Sequence, residues 1–70
     1  MHQGNIGMLP REVLVCVARG STNSQIASDL FMSIHTVKLH IQNILRKLNL
    51  RDRAQAVVAA YESGLITPGE

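Results

Sequence analysis

A chain of 70 residues and 7.7 kDa has room for one small domain, and at that size only about 60% of the unfolded surface is buried on folding, which favours helices around a thin core over a deep catalytic cleft. Hydrophobic residues at 46% and charged ones at 17% make a globular balance, and apolar runs such as Ala56 to Tyr61 fall far short of the roughly 18 residues needed to cross a bilayer. A net charge of +2 from seven Lys and Arg against five Asp and Glu is too small to identify a partner by itself, so the position of those charges must be read instead.

In chain order, Met1 to Gly7 carries neither the basic nor the apolar stretch of an export signal, and residues 1–7 are set apart as a flexible lead-in. The lone Cys16 makes no intramolecular disulfide and lacks a second thiol for zinc, which fits a reducing, cytoplasmic setting; as a small hydrophobe it belongs beside the core. The first helix is marked by Val13, Leu14, Val17 and Ala18 at helical spacing, with Pro10 in its opening turn and Gly20 as its stop. Thr22-Asn23-Ser24-Gln25 has the spacing of a capping box and opens a short second helix with Ile26, Ala27 and Leu30 inward. Phe31 and Met32 then lead to Ser33, a good N-cap for a third helix reaching about Leu48. Short helix, tight turn and longer helix form a helix-turn-helix outline.

Placed at about 100° per residue, the third helix turns Val37, Ile41, Ile44 and Leu48 to one side, with Leu45 at the margin. The opposite face carries His35, Lys38, Leu39, Gln42 and Arg46. Asp52 caps a fourth helix, with Gln55 at the box position and an end near Ser63-Gly64. That helix has two stripes: Arg53, Ala56, Val57, Ala60 and Gly64 form one, and Ala54, Val58, Tyr61 and Leu65 form another roughly 120° away. One stripe seals the domain and the other needs a second cover, either another chain or the ends of this one. The body is expected to span residues 8–65, with residues 66–70 as a flexible tail.

Charge is concentrated in one segment of the chain. From His35 to Arg53, five cations (Lys38, Arg46, Lys47, Arg51 and Arg53) face Asp52 alone, while the rest of the chain is slightly acidic. A helix of this width fits the major groove, where Lys38 suits guanine O6 and N7, Gln42 can donate and accept as adenine requires, and Leu39 suits a thymine methyl. Arg46, Lys47 and Arg51 suit passing phosphates, as does the start of the second helix at Ser24 and Gln25. The same residues also fit a merely solvated helix face with one stray leucine. Catalysis has little support: the carboxylates are scattered, and His35 and His40, about 140° apart on the helix, cannot clasp one metal from a single face. No catalytic, metal or cofactor residue is assigned.

The string Ala18-Arg19-Gly20, Asn23, Ile26-Ala27, Leu30, Ser33, Thr36-Val37-Lys38-Leu39-His40, Lys47-Leu48, Arg53 and Gln55-Ala56-Val57 resembles the LuxR-type helix-turn-helix domain, also called GerE-like or FixJ/NarL-type, of bacterial transcription regulators. The likeness runs from about Ile6 to Leu65. It implies an all-α, four-helix fold: a tri-helical core with the second helix as scaffold and the third in the major groove, plus a fourth helix for dimerisation. It puts base contacts on Lys38, Leu39 and Gln42, and backbone contacts on Thr36 and Asn43, with Ser24, Gln25, Ser33, His35, Arg46 and Lys47 beside them. His40 is expected to pack and anchor, and Ala54, Val58, Tyr61 and Leu65 to form the dimer interface. The implied partners are double-stranded DNA with two half-sites, a second copy of the chain, RNA polymerase, and a receiver or ligand-binding domain where the module belongs to a longer chain.

Two departures qualify the resemblance. Pro10 replaces the first acid of the family's Leu-Thr-x-Arg-Glu opening, which leaves Glu12 as the candidate ion-pair partner of Arg53 and implies a looser start. Gln42 and Asn43 stand where cations are common, which implies weaker nonspecific affinity. The rival readings are a helix-turn-helix that works only within a larger complex, such as a sigma-factor region, and a small helical protein-interaction module using the second stripe of the fourth helix.

Overall fold

A computed structural model describes residues 8–67, so the expectations for residues 1–7 and 68–70 lie outside the described residues. The described residues form four helices and no strand: α1 (Met8–Ala18), α2 (Asn23–Asp29), α3 (Ile34–Lys47) and α4 (Arg53–Glu62). Pro10 lies in the first turn of α1, where a missing amide hydrogen forfeits no intrahelical bond. Thr22 Oγ1 accepts from Gln25 N at 3.1 Å and Gln25 Oε1 accepts from Thr22 N at 2.9 Å, so the expected capping box of α2 is complete. Ser33 Oγ accepts from Thr36 N at 3.0 Å to start α3, and an Asp52 carboxylate oxygen accepts from Gln55 N at 3.0 Å to start α4. The reciprocal bond of this last cap is displaced by one residue, because Gln55 Oε1 accepts from Arg51 N at 2.6 Å instead of from the amide of Asp52.

All four helices end in one way. Gly20, Phe31, Asn49 and Gly64 follow the respective C-caps in the left-handed region, at φ 90°, 57°, 59° and 80°. In each case that residue and the next donate back into the last helical turn, as in Gly20 N to Val17 O (3.1 Å) and Ser21 N to Cys16 O (3.0 Å), the pattern of a Schellman motif. Such an end reverses the chain sharply, which is how four helices are joined by short connections.

Val13, Leu14, Val17 and Ala18 of α1, Ile26 and Ala27 of α2, Val37 and Ile44 of α3, and Ala56 and Ala60 of α4 make one core. Ile26, Val13 and Val37 are the largest fully buried side chains, each stabilising the fold by roughly 1.5–3 kcal/mol relative to exposure. Three expectations are corrected here. Leu48, the C-cap of α3, is 39% exposed, and Leu45 and Leu50 pack against the core instead. Leu65 does not continue the α4 stripe, since the helix ends at Glu62 and the chain reverses at Gly64; it packs partly against the core. Ile66, assigned to the tail, is only 4% exposed and belongs to the core, its amide donating to Ala60 O at 3.4 Å.

Candidate nucleic-acid interface

Burying Val37 and Ile44 fixes which way α3 faces. Lys38, Gln42 and Arg46 then form an i, i+4, i+8 row on the outer side, all exposed, with His35 one turn before it and Leu39 beside it. Leu39 keeps 45% of its surface in solvent, so the apolar residue expected on the reading face does lie in the open. At about 1.5 Å rise per residue the 14 residues of α3 extend roughly 21 Å, enough to lay several successive side chains along a groove.

Around this row the polar residues differ in what they have left to offer. Asn43 and Arg46 are brought together, Arg46 Nη1 donating to Asn43 Oδ1 at 3.3 Å. Ser33 and Thr36 are tied in the cap of α3: Ser33 Oγ donates to Thr36 Oγ1 at 2.9 Å while accepting the Thr36 amide, so the Ser33 hydroxyl is committed to the helix. The Thr36 hydroxyl, acting there as acceptor, retains its own hydrogen to donate. Gln25 uses its oxygen on Thr22 and keeps its amide hydrogens, and Ser24 beside it is exposed. Lys47 and Arg51 are exposed near the end of α3, while His40 is half-buried, consistent with packing rather than reading.

The fourth helix presents Ala54, Val58 and Tyr61 outward, with Val58 53% exposed. Leu65 lies beyond the end of α4, after the reversal at Gly64, so the helix itself carries three of the four residues of the stripe. Arg53, expected to pair with Glu12, does something else: Nη1 donates to Asn23 Oδ1 and Nη2 to the Ser21 carbonyl oxygen, both at 2.6 Å. Nothing in the local sequence announces a bond spanning 30 residues. Among the described residues there is no group of three or more His, Cys, Asp and Glu side chains able to hold a metal ion.

Residues 10–60 match the family of bacterial regulatory proteins described as the luxR family. The chain belongs to that family. It is similar to the transcriptional regulatory protein LiaR of Bacillus subtilis, 49% identical over 55 residues, and to the response regulator protein VraR of Staphylococcus aureus and of Staphylococcus epidermidis, each 47% identical over 55 residues. These matches take in 79% of this chain and 26% of each relative, so the chain spans about a quarter of the length of the curated relatives it matches. As a luxR-family helix-turn-helix domain it is a DNA-binding module of transcription regulation and not an enzyme. No helix of the described residues is long and apolar enough to cross a membrane.

Proposed function

We propose that this luxR-family domain reads double-stranded DNA in a sequence-specific way, as the output module of a cytoplasmic bacterial response regulator. The observation that carries this reading is the exposed row Lys38, Leu39 and Gln42 on a helix whose opposite side is locked into the core. Lys38 donates to guanine O6 or N7, Gln42 pairs with adenine N6 and N7, and Leu39 meets a thymine methyl. Ser24, the amide of Gln25, the Thr36 hydroxyl, His35, Asn43, Arg46 and Lys47 hold the phosphates and fix register; Ser33 contributes by capping α3 and not through its own hydroxyl. With so few cations, one chain neutralises few phosphates, and its affinity alone is modest.

Two chains joined through Ala54, Val58 and Tyr61 would read two half-sites, and the exposed apolar surface of α4 supports this arrangement. In a response regulator such as VraR is named to be, a receiver domain would control that pairing, and RNA polymerase would be the target of the bound dimer. The test is selection of duplexes from a random pool at moderate salt, followed by sedimentation of protein with the selected duplex. The expected result is a two-fold symmetric motif holding two chains, with binding that falls steeply as salt rises. Failure to enrich any sequence from an intact fold would move the weight to a protein-interaction module built on the α4 face.

A further inference from the structure

α4 packs mainly on α1 and to a smaller extent on α3, whereas α2 and α4 do not pack on one another. Among the described residues, the hydrogen-bonded link between them is Arg53. Its backbone is the first residue of α4, and its guanidinium reaches Asn23, the first residue of α2, and the Ser21 carbonyl just before the α2 cap. Both acceptors are neutral oxygens, and both bonds are 2.6 Å long. A planar guanidinium can satisfy two acceptors in a fixed relative position, which the single ammonium of lysine cannot imitate. The contact is therefore directional as well as attractive: it sets where the start of α4 lies relative to the start of the scaffold helix.

We propose that Arg53 is a positioning residue that fixes the angle between α4 and the α2–α3 unit, and thereby sets the separation of the two reading helices when two chains join. This rests on the reading of α4 as the surface of self-association. In a symmetric dimer any rotation of α4 against α3 within one chain is repeated in the other, so a small loosening at Arg53 is doubled in the distance between the two α3 helices. Half-site spacing is the quantity that reports it, because each half-site must meet its helix on the same face of a duplex with about 10.5 base pairs per turn.

The experiment uses duplexes carrying the motif selected by the wild-type chain, either as one half-site or as two with the spacer lengthened or shortened. Wild-type protein is expected to favour one spacer by about tenfold or more over a spacer shifted by roughly five base pairs, and to bind paired half-sites more tightly than one. Arg53→Lys is expected to narrow that spacing preference to about twofold while binding to a single half-site stays within about twofold of wild type. Asn23→Ala, which removes one acceptor and leaves the Ser21 carbonyl, gives an intermediate result and serves as the milder variant if Arg53→Lys unfolds. An unchanged spacing profile in both variants overturns the proposal, and so does a loss of single-site binding as large as the loss on paired sites, which marks a purely structural role. A wild-type chain that gains nothing from a second half-site overturns the self-association reading as well.

Discussion

At the residue scale, among the described residues, the turn between α2 and α3 holds the backbone conformation least suited to its residue. Gly20, Asn49 and Gly64 are the residue types suited to a left-handed helix end; Phe31, at φ 57° and 95% exposed, is not. Its ring gains nothing from packing, so its replacement sacrifices no core contact. Phe31→Asn is expected to raise stability by roughly 0.5–1 kcal/mol, since asparagine tolerates this region and glycine's extra unfolded-state entropy is avoided. Thermal unfolding checks this, and a lower Tm would show that the ring stabilises the turn. Cys16 gives a second test. Burial pushes its thiol above the ordinary value, Asp29 adds to the rise, Arg19 opposes it and Glu12 adds a little more. A raised folded value means that the protonated thiol stabilises the fold below the unfolded value and that this contribution is lost as pH rises through the folded one. Alkylation by iodoacetamide at about pH 8 should therefore be slower in the native protein than in the urea-unfolded chain. Equal rates would mean that folding leaves the thiolate equally available.

At the scale of the element, α3 separates two kinds of contact by position. Lys38→Ala and Gln42→Ala are each expected to reduce discrimination between the selected motif and random DNA by roughly 1–3 kcal/mol. Arg46→Ala should weaken all sequences alike and lower the salt slope by about one. Competition binding at several salt concentrations distinguishes them, and equal weakening of both DNAs by all three variants would remove Lys38 and Gln42 from base reading. Most of α3 was legible in the sequence because its signals are local: Ser33 lies three residues before the amide it caps, and Val37 and Ile44 are a helical repeat apart. The wheel failed where the helix stopped. Counting 100° per residue through Leu65 assumed helix where Gly64 turns left-handed, and so misplaced that leucine and left Ile66 out of the core.

At the scale of the whole molecule, the unread part is what crosses between elements. Arg53 resembles any basic residue opening a helix, and its partners 30 and 32 residues away follow only once α1 has brought α2 and α4 to the same side. The surplus apolar stripe of α4 was legible, because a helix with more apolar surface than one core face consumes shows it in its repeat. Val58 is the test of what covers it. At 53% exposure it contributes little to the core, and aspartate and valine have similar helix propensities, so Val58→Asp should leave helical content and cooperative unfolding intact. In a self-associated pair the same carboxylate is buried twice across a symmetric interface, where desolvation and like-charge repulsion act together. The expected outcome is a folded monomer by sedimentation whose binding to paired half-sites falls to that of a single half-site. Val58→Ser removes the methyl groups without adding charge and should give a weaker version of the same defect. An undiminished advantage of paired over single half-sites in both variants would exclude this face as the contact between chains, and an unfolded Val58→Asp product would mean that the side chain belongs to the core despite its exposure.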